Sequence, residues 1–83
     1  MSRIRKRFEK IMNNPKDVKW DLFVTVIEHY GITVDNPSGG SHFIVYSDDD
    51  DEMIPVPVHN NRIKTVYAKK IIALIEKLNS EEE

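Results

Sequence analysis

An α+β fold, in which helices cover one face of a three-stranded antiparallel sheet, is predicted by three features of this sequence. Residues 17–30 and 65–78 carry apolar side chains at three- and four-residue steps, the period of helices that bury one face. Between them lie three short segments, 32–35, 41–46 and 53–58, rich in β-branched and aromatic residues and separated by turn-forming clusters. The links between these segments are of hairpin length, so the strands run antiparallel and the helices stack on the sheet face left for burial.

Each element has its own local reason. Residues 3–13 form a short basic helix, with Ile4, Phe8, Ile11 and Met12 on one side and Asn13-Asn14-Pro15 as its stop. Asp17 is the expected N-cap or first turn of the second helix, whose apolar positions are Val18, Leu22, Phe23, Val26, Ile27 and Tyr30, and Gly31 ends it. Ile32 to Asp35 alternates as a first strand, and Asn36-Pro37-Ser38-Gly39-Gly40 turns the chain into a second that runs to Tyr46. Ser47 to Glu52 is a polar hairpin loop, read as a solvated tip; its carboxylates lack the spacing of a calcium loop. In the third strand, Met53 to Val58, Pro55 and Pro57 remove ladder donors and place it at a sheet edge. Thr65 is the expected cap of the last helix, whose apolar stripe is Tyr67, Ile71, Leu74, Ile75 and Leu78, with residues 79–83 an acidic, frayed tail.

With 83 residues the chain is read as a single domain spanning 1–83. It has no cysteine, which excludes disulfides and thiolate metal sites, and no apolar run long enough for a signal peptide or membrane span, so a cytoplasmic protein without cofactor or metal is expected. The net charge of −2 hides a segregation: residues 1–20 sum to +5, residues 21–61 contain no Lys or Arg and sum to −8, and residues 62–79 return to +4. The N-terminal basic cluster fits a solvated helix face or an RNA-backbone contact equally well.

Alternation puts Ile54, Val56 and Val58 on one face of the third strand. Two registers then compete for the second. If Phe43 pairs with Val58 and Val45 with Val56, His42 lies directly opposite His59 on the open face. The other buries Ile44 and Tyr46 and with them His42, at a desolvation cost that favours the first. Two imidazoles side by side suit the general base and general acid of phosphodiester cleavage, one taking the 2′-hydroxyl proton and the other protonating the leaving oxygen. Asn60, Asn61, Arg62 and Lys64 offer donors to a phosphate, and the amides after Thr65 could receive an anion. Taken singly, His42 and His59 also fit structural roles, and Asn60-Asn61 fits a turn. Ile44 and Tyr46, left on the open face, form an apolar pair that a partner would cover.

Residues 17–78 resemble the HicA toxins of bacterial and archaeal toxin–antitoxin modules. The likeness rests on Asp17-Val18-Lys19-Trp20-Asp21 opening a helix that ends at Tyr30-Gly31, on Gly40-Ser41-His42 opening a strand, on Pro57-Val58-His59, and on the closing helix from Lys64 to Leu78. The resemblance implies a core similar to double-stranded RNA-binding domains, α-β-β-β-α, to which residues 1–14 add a helix. It also implies an mRNA-cleaving activity with its catalytic histidine at His42, and inhibition by an antitoxin of the HicB type. The expectation is a metal-independent endoribonuclease with His42 as base, His59 or a water as acid, and Ser41, Asn60, Asn61, Arg62 and Lys64 on the RNA, without a DNA or membrane partner of its own. A non-catalytic RNA-binding or protein-interaction module on the same scaffold is the alternative.

Overall fold

The computed structural model describes residues 3–79. In chain order the elements are α1 (Arg3–Asn13), β1 (Val18–Lys19), α2 (Trp20–His29), β2 (Thr33–Asp35), β3 (His42–Tyr46), β4 (Met53–Pro57), β5 (Arg62–Ile63) and α3 (Thr65–Asn79). Strands β2, β3 and β4 form the expected three-stranded antiparallel sheet with β3 central, while β1 and β5 pair in a separate two-stranded ribbon. The expected tail beyond Asn79 lies outside the described residues.

One apolar cluster holds the layers together. Val45 of β3 and Ile54 and Val56 of β4 turn inward to meet Phe23, Val26 and Ile27 of α2 and Ile71, Leu74 and Ile75 of α3, all fully buried. Phe8 and Ile11 of α1 close the outside of the helical layer, the Phe8 ring lying 5.5 Å from that of Tyr30. Trp20 braces the inner face of β3, its ring edge-on to Phe43 at 5.3 Å and to Phe23 at 6.4 Å. No helix among the described residues is long and apolar enough to cross a membrane.

The ends of α2 show how local and distant signals share the work. At its C-terminus Gly31 adopts φ +81°, and the N–H groups of Gly31 and Ile32 donate to the carbonyls of Glu28 and Ile27 at 3.0 and 3.2 Å. That is a Schellman closure, with Ile32 buried as its apolar plug. The N-terminus departs from expectation. Asp17 does not cap it: α2 starts at Trp20, because Val18 and Lys19 extend to pair with Ile63 and Arg62. Lys19 holds the cap position without a side-chain bond, and the amides of Trp20 and Asp21 donate instead to the carbonyl and the Oδ1 of Asn61, at 2.8 and 2.9 Å.

Smaller corrections concern loops and ends. Ile32 lies just outside β2, and Val58 just beyond β4. At α3, the Lys64 carbonyl accepts the first bonds, from Tyr67 and Ala68, which puts Thr65 one residue inside the helix rather than at the cap. The acidic loop is anchored as well as solvated. Ser47 is buried, its Oγ accepting from the Asp49 N–H at 3.1 Å, and the Asp50 carboxylate, with only 11% of its side chain exposed, pairs with Lys77 of α3 at 2.6 Å.

Candidate functional site

His42 is the first residue of β3, exposed, on the sheet face opposite the helices. The Gly39-Gly40 approach explains its position. Gly39 takes φ +72° and its N–H closes a turn onto the Asn36 carbonyl at 3.2 Å, while the Asn36 amide donates to the Gly40 carbonyl at 3.1 Å. Ser41 follows, exposed, its carbonyl accepting the Val58 N–H at 2.8 Å as the last rung of the β3–β4 ladder.

That rung sets the pairing. His42 stands opposite Pro57, Phe43 opposite Val56, Ile44 opposite Pro55, Val45 opposite Ile54 and Tyr46 opposite Met53. The faces are as expected, but the register differs from expectation by two residues, so His59 is not directly across from His42. It lies two residues beyond Pro57, where β4 has ended and the His59 backbone pairs instead with Arg62. The pairing that aligned the histidines would have set Ile54 against Ser47; the observed one buries Ile54 against Val45. Alternation of bonded and non-bonded pairs also places Pro55 and Pro57 at non-bonded positions. Their missing N–H groups therefore point to the free edge of the sheet, and no ladder bond is lost.

Past β4 the chain makes a tight hairpin, His59-Asn60-Asn61-Arg62. Asn60 and Asn61 have φ of 51° and 62°, the left-handed pair that a type I′ turn requires. His59 and Arg62 exchange backbone bonds at 2.9 and 2.8 Å. The two asparagines part company in their side chains. Asn61 is engaged with α2, its Nδ2 donating to Asp21 Oδ1 at 3.0 Å and holding that carboxyl below its ordinary range. Asn60 is exposed and makes no side-chain hydrogen bond among the described residues.

Beside the hairpin lies an open hollow of about 540 Å³ lined by Lys16, Pro57, His59, Arg62, Ile63, Lys64 and Thr65. Arg62 reaches back to Asp17, Nε to Oδ1 2.7 Å, while Lys16 and Lys64 have no acidic partner among the described residues. The hollow thus unites His59, Arg62 and Lys64 of the expected site with Lys16 from the N-terminal basic block. It touches the strand pair of His42 through Pro57. Ser41 and Asn60 are exposed but are not among its lining residues, and Asn61 points its amide to α2. No group of three or more His, Asp or Glu able to hold a metal stands together among the described residues.

The arrangement offers an exposed imidazole at a strand mouth, a second imidazole in the hairpin that follows the partner strand, and a cationic hollow alongside. Such a set can hold a phosphodiester and move protons at it. Neither the curated proteins nor the solved structures compared with the chain gave a match. A family model did: that of the HicA toxin of bacterial toxin–antitoxin systems matches residues 20–78, from the first residue of α2 to the last turn of α3, and so includes the whole sheet and both histidines. On a match over more than half its length, carried by the fold just described, the chain belongs to the HicA toxin family.

Proposed function

We propose that this toxin is an endoribonuclease that cleaves mRNA in the cytoplasm without a metal, with His42 as general base. His42 takes the proton from a 2′-hydroxyl, that oxygen attacks the adjacent phosphorus, and the bond from phosphorus to the 5′-oxygen breaks. His59 supplies the proton to the departing oxygen. The products are a 2′,3′-cyclic phosphate and a free 5′-hydroxyl. DNA has no 2′-hydroxyl to activate and is not a substrate. The observation that carries this reading is the placement of exposed His42 next to the wall of a hollow lined by His59, Arg62 and Lys64. The two-residue offset between His59 and the strand partner of His42 supports it, because base and acid work on oxygens on opposite sides of the phosphorus and need room for the phosphate between them. In this reading Ser41 and Asn60 donate to flanking phosphates, and Asn61 contributes by holding the hairpin.

The partner is an antitoxin of the HicB type that docks on the open sheet face. Ile44 and Tyr46 are half-buried there and Met53 is 60% exposed, an apolar strip continuous with His42 along β3. Covering that strip covers the base.

Purified protein is incubated with a defined single-stranded RNA and the product ends are mapped. Wild type yields cyclic phosphate ends, and His42→Ala lowers the cleavage rate by at least about a hundredfold while still binding RNA. His59→Ala slows cleavage less, because water can replace the acid. Cleavage that survives His42→Ala removes the assignment. Binding without any cleavage by wild type points to the non-catalytic module instead.

A further inference from the structure

We infer that Lys16, which lies outside the residues shared with the family model, is an RNA-phosphate-binding side chain of the hollow and sets affinity for the strand flanking the cleaved bond. This rests on the ribonuclease reading for its ligand, but its position is argued independently.

The ribbon delivers the lysine. Val18 pairs with Ile63 and Lys19 with Arg62, which brings the residues just before β1 alongside those just after β5. Lys16 and Thr65 do line the same hollow. The Asp17–Arg62 pair closes this junction at 2.7 Å, so the one carboxylate in the segment is turned onto Arg62. Among the described residues Lys16 and Lys64 remain as charges without an acidic partner in the hollow that His59 lines. Their isolation matters in a chain whose residues 21–61 carry eight acidic groups and no Lys or Arg. A polyanion following His42 past Pro57 meets positive charge at this hollow, whereas the other end of the β3–β4 hairpin offers the Asp48–Glu52 loop, which repels it. Without Lys16 the hollow would keep Lys64 and an Arg62 paired with Asp17.

The test is made on His42→Ala protein, so that no RNA is consumed, with binding of a short single-stranded RNA followed by fluorescence anisotropy across a salt series. Adding Lys16→Ala weakens binding several-fold at low salt and flattens the slope of log K against log salt by about 0.7, the loss of one phosphate contact to a single strand. Lys16→Arg keeps both values. Lys70→Ala, an exposed α3 charge outside the hollow, is the control and changes the slope by less. Because Lys16 is exposed, the variants keep the wild-type melting temperature. Unchanged affinity and slope in Lys16→Ala, an equal loss in Lys70→Ala, or no RNA binding at all overturns the inference. The ribonuclease reading fails separately, if wild type binds RNA with this Lys16 dependence yet cleaves nothing.

Discussion

Asn61 serves two structures at once. Its backbone takes one of the left-handed positions of the type I′ turn, and its carbonyl and amide together receive and donate the bonds that cap α2 forty residues away in sequence. Glycine accepts the same φ without a side chain, so Asn61→Gly isolates the cap from the turn. It should lower stability by about 1–2 kcal/mol in urea unfolding, the worth of two exchanged hydrogen bonds, whereas Asn60→Gly should change it by less than about 0.5 kcal/mol. Equal losses at both positions would mean that the turn, not the cap, sets the cost. The cap also bears on the site. By holding α2 to the hairpin it fixes where His59, Arg62 and the hollow sit relative to β3.

At the scale of elements, the β3–β4 hairpin is fastened at the end remote from His42. Lys77 donates to the Asp50 carboxylate and holds it below its ordinary 3.8, while Asp50 in turn raises the Lys77 ammonium above its ordinary 10.5. The lowered carboxyl contributes stability that is present above about pH 4 and is lost as pH falls through its folded value. The raised ammonium contributes stability that is complete below its ordinary value and is lost as pH rises past the folded one. Asp50→Asn should therefore be less stable than wild type by a constant amount between about pH 5 and 9, with the gap closing in acid below about pH 4. Urea midpoints of both proteins at several pH values check this; a gap that persists at pH 2 would assign it to hydrogen bonding of the neutral side chain. The anchoring draws Asp50 out of a loop that otherwise reads as a solvated charge run, and leaves Asp48, Asp49, Asp51 and Glu52 to repel a polyanion.

For the whole molecule, α1 is part of the core although it precedes the matched residues. Phe8 is buried against Tyr30, and Ile11 lies beside it on the helical layer. Phe8→Ala should cost about 3–5 kcal/mol. That is a large fraction of the roughly 4–12 kcal/mol expected for a chain of this size, and should appear as a marked drop in the thermal midpoint. A loss below about 1 kcal/mol would mean that α1 packs as a detachable appendage. The same helix leads through Pro15 into Lys16, so packing in the core and charge at the hollow are supplied by one N-terminal segment.

The elements and their faces were legible in sequence because helical and strand periods act over a few residues. Phe43 and Val45 inward, His42 outward, prolines at an edge and Gly31 as a helix stop all follow from local chemistry, and the structure keeps each of them. Three things did not follow. A slip of two residues keeps every side chain on its face, so alternation could not choose between His59 and Pro57 as the partner of His42. The ribbon of β1 and β5 is too short to carry a pattern, and it converts the expected start of α2 into a strand. The cap of α2 comes from Asn61, a residue no local window connects to Trp20. The sequence by itself thus determined which residues face the core, which histidine opens a strand, and which family the motifs resemble. Only the tertiary structure decided the offset of the two histidines and the meeting of Lys16 with Lys64, because both depend on pairings between distant segments that are chosen by the packing of the whole chain.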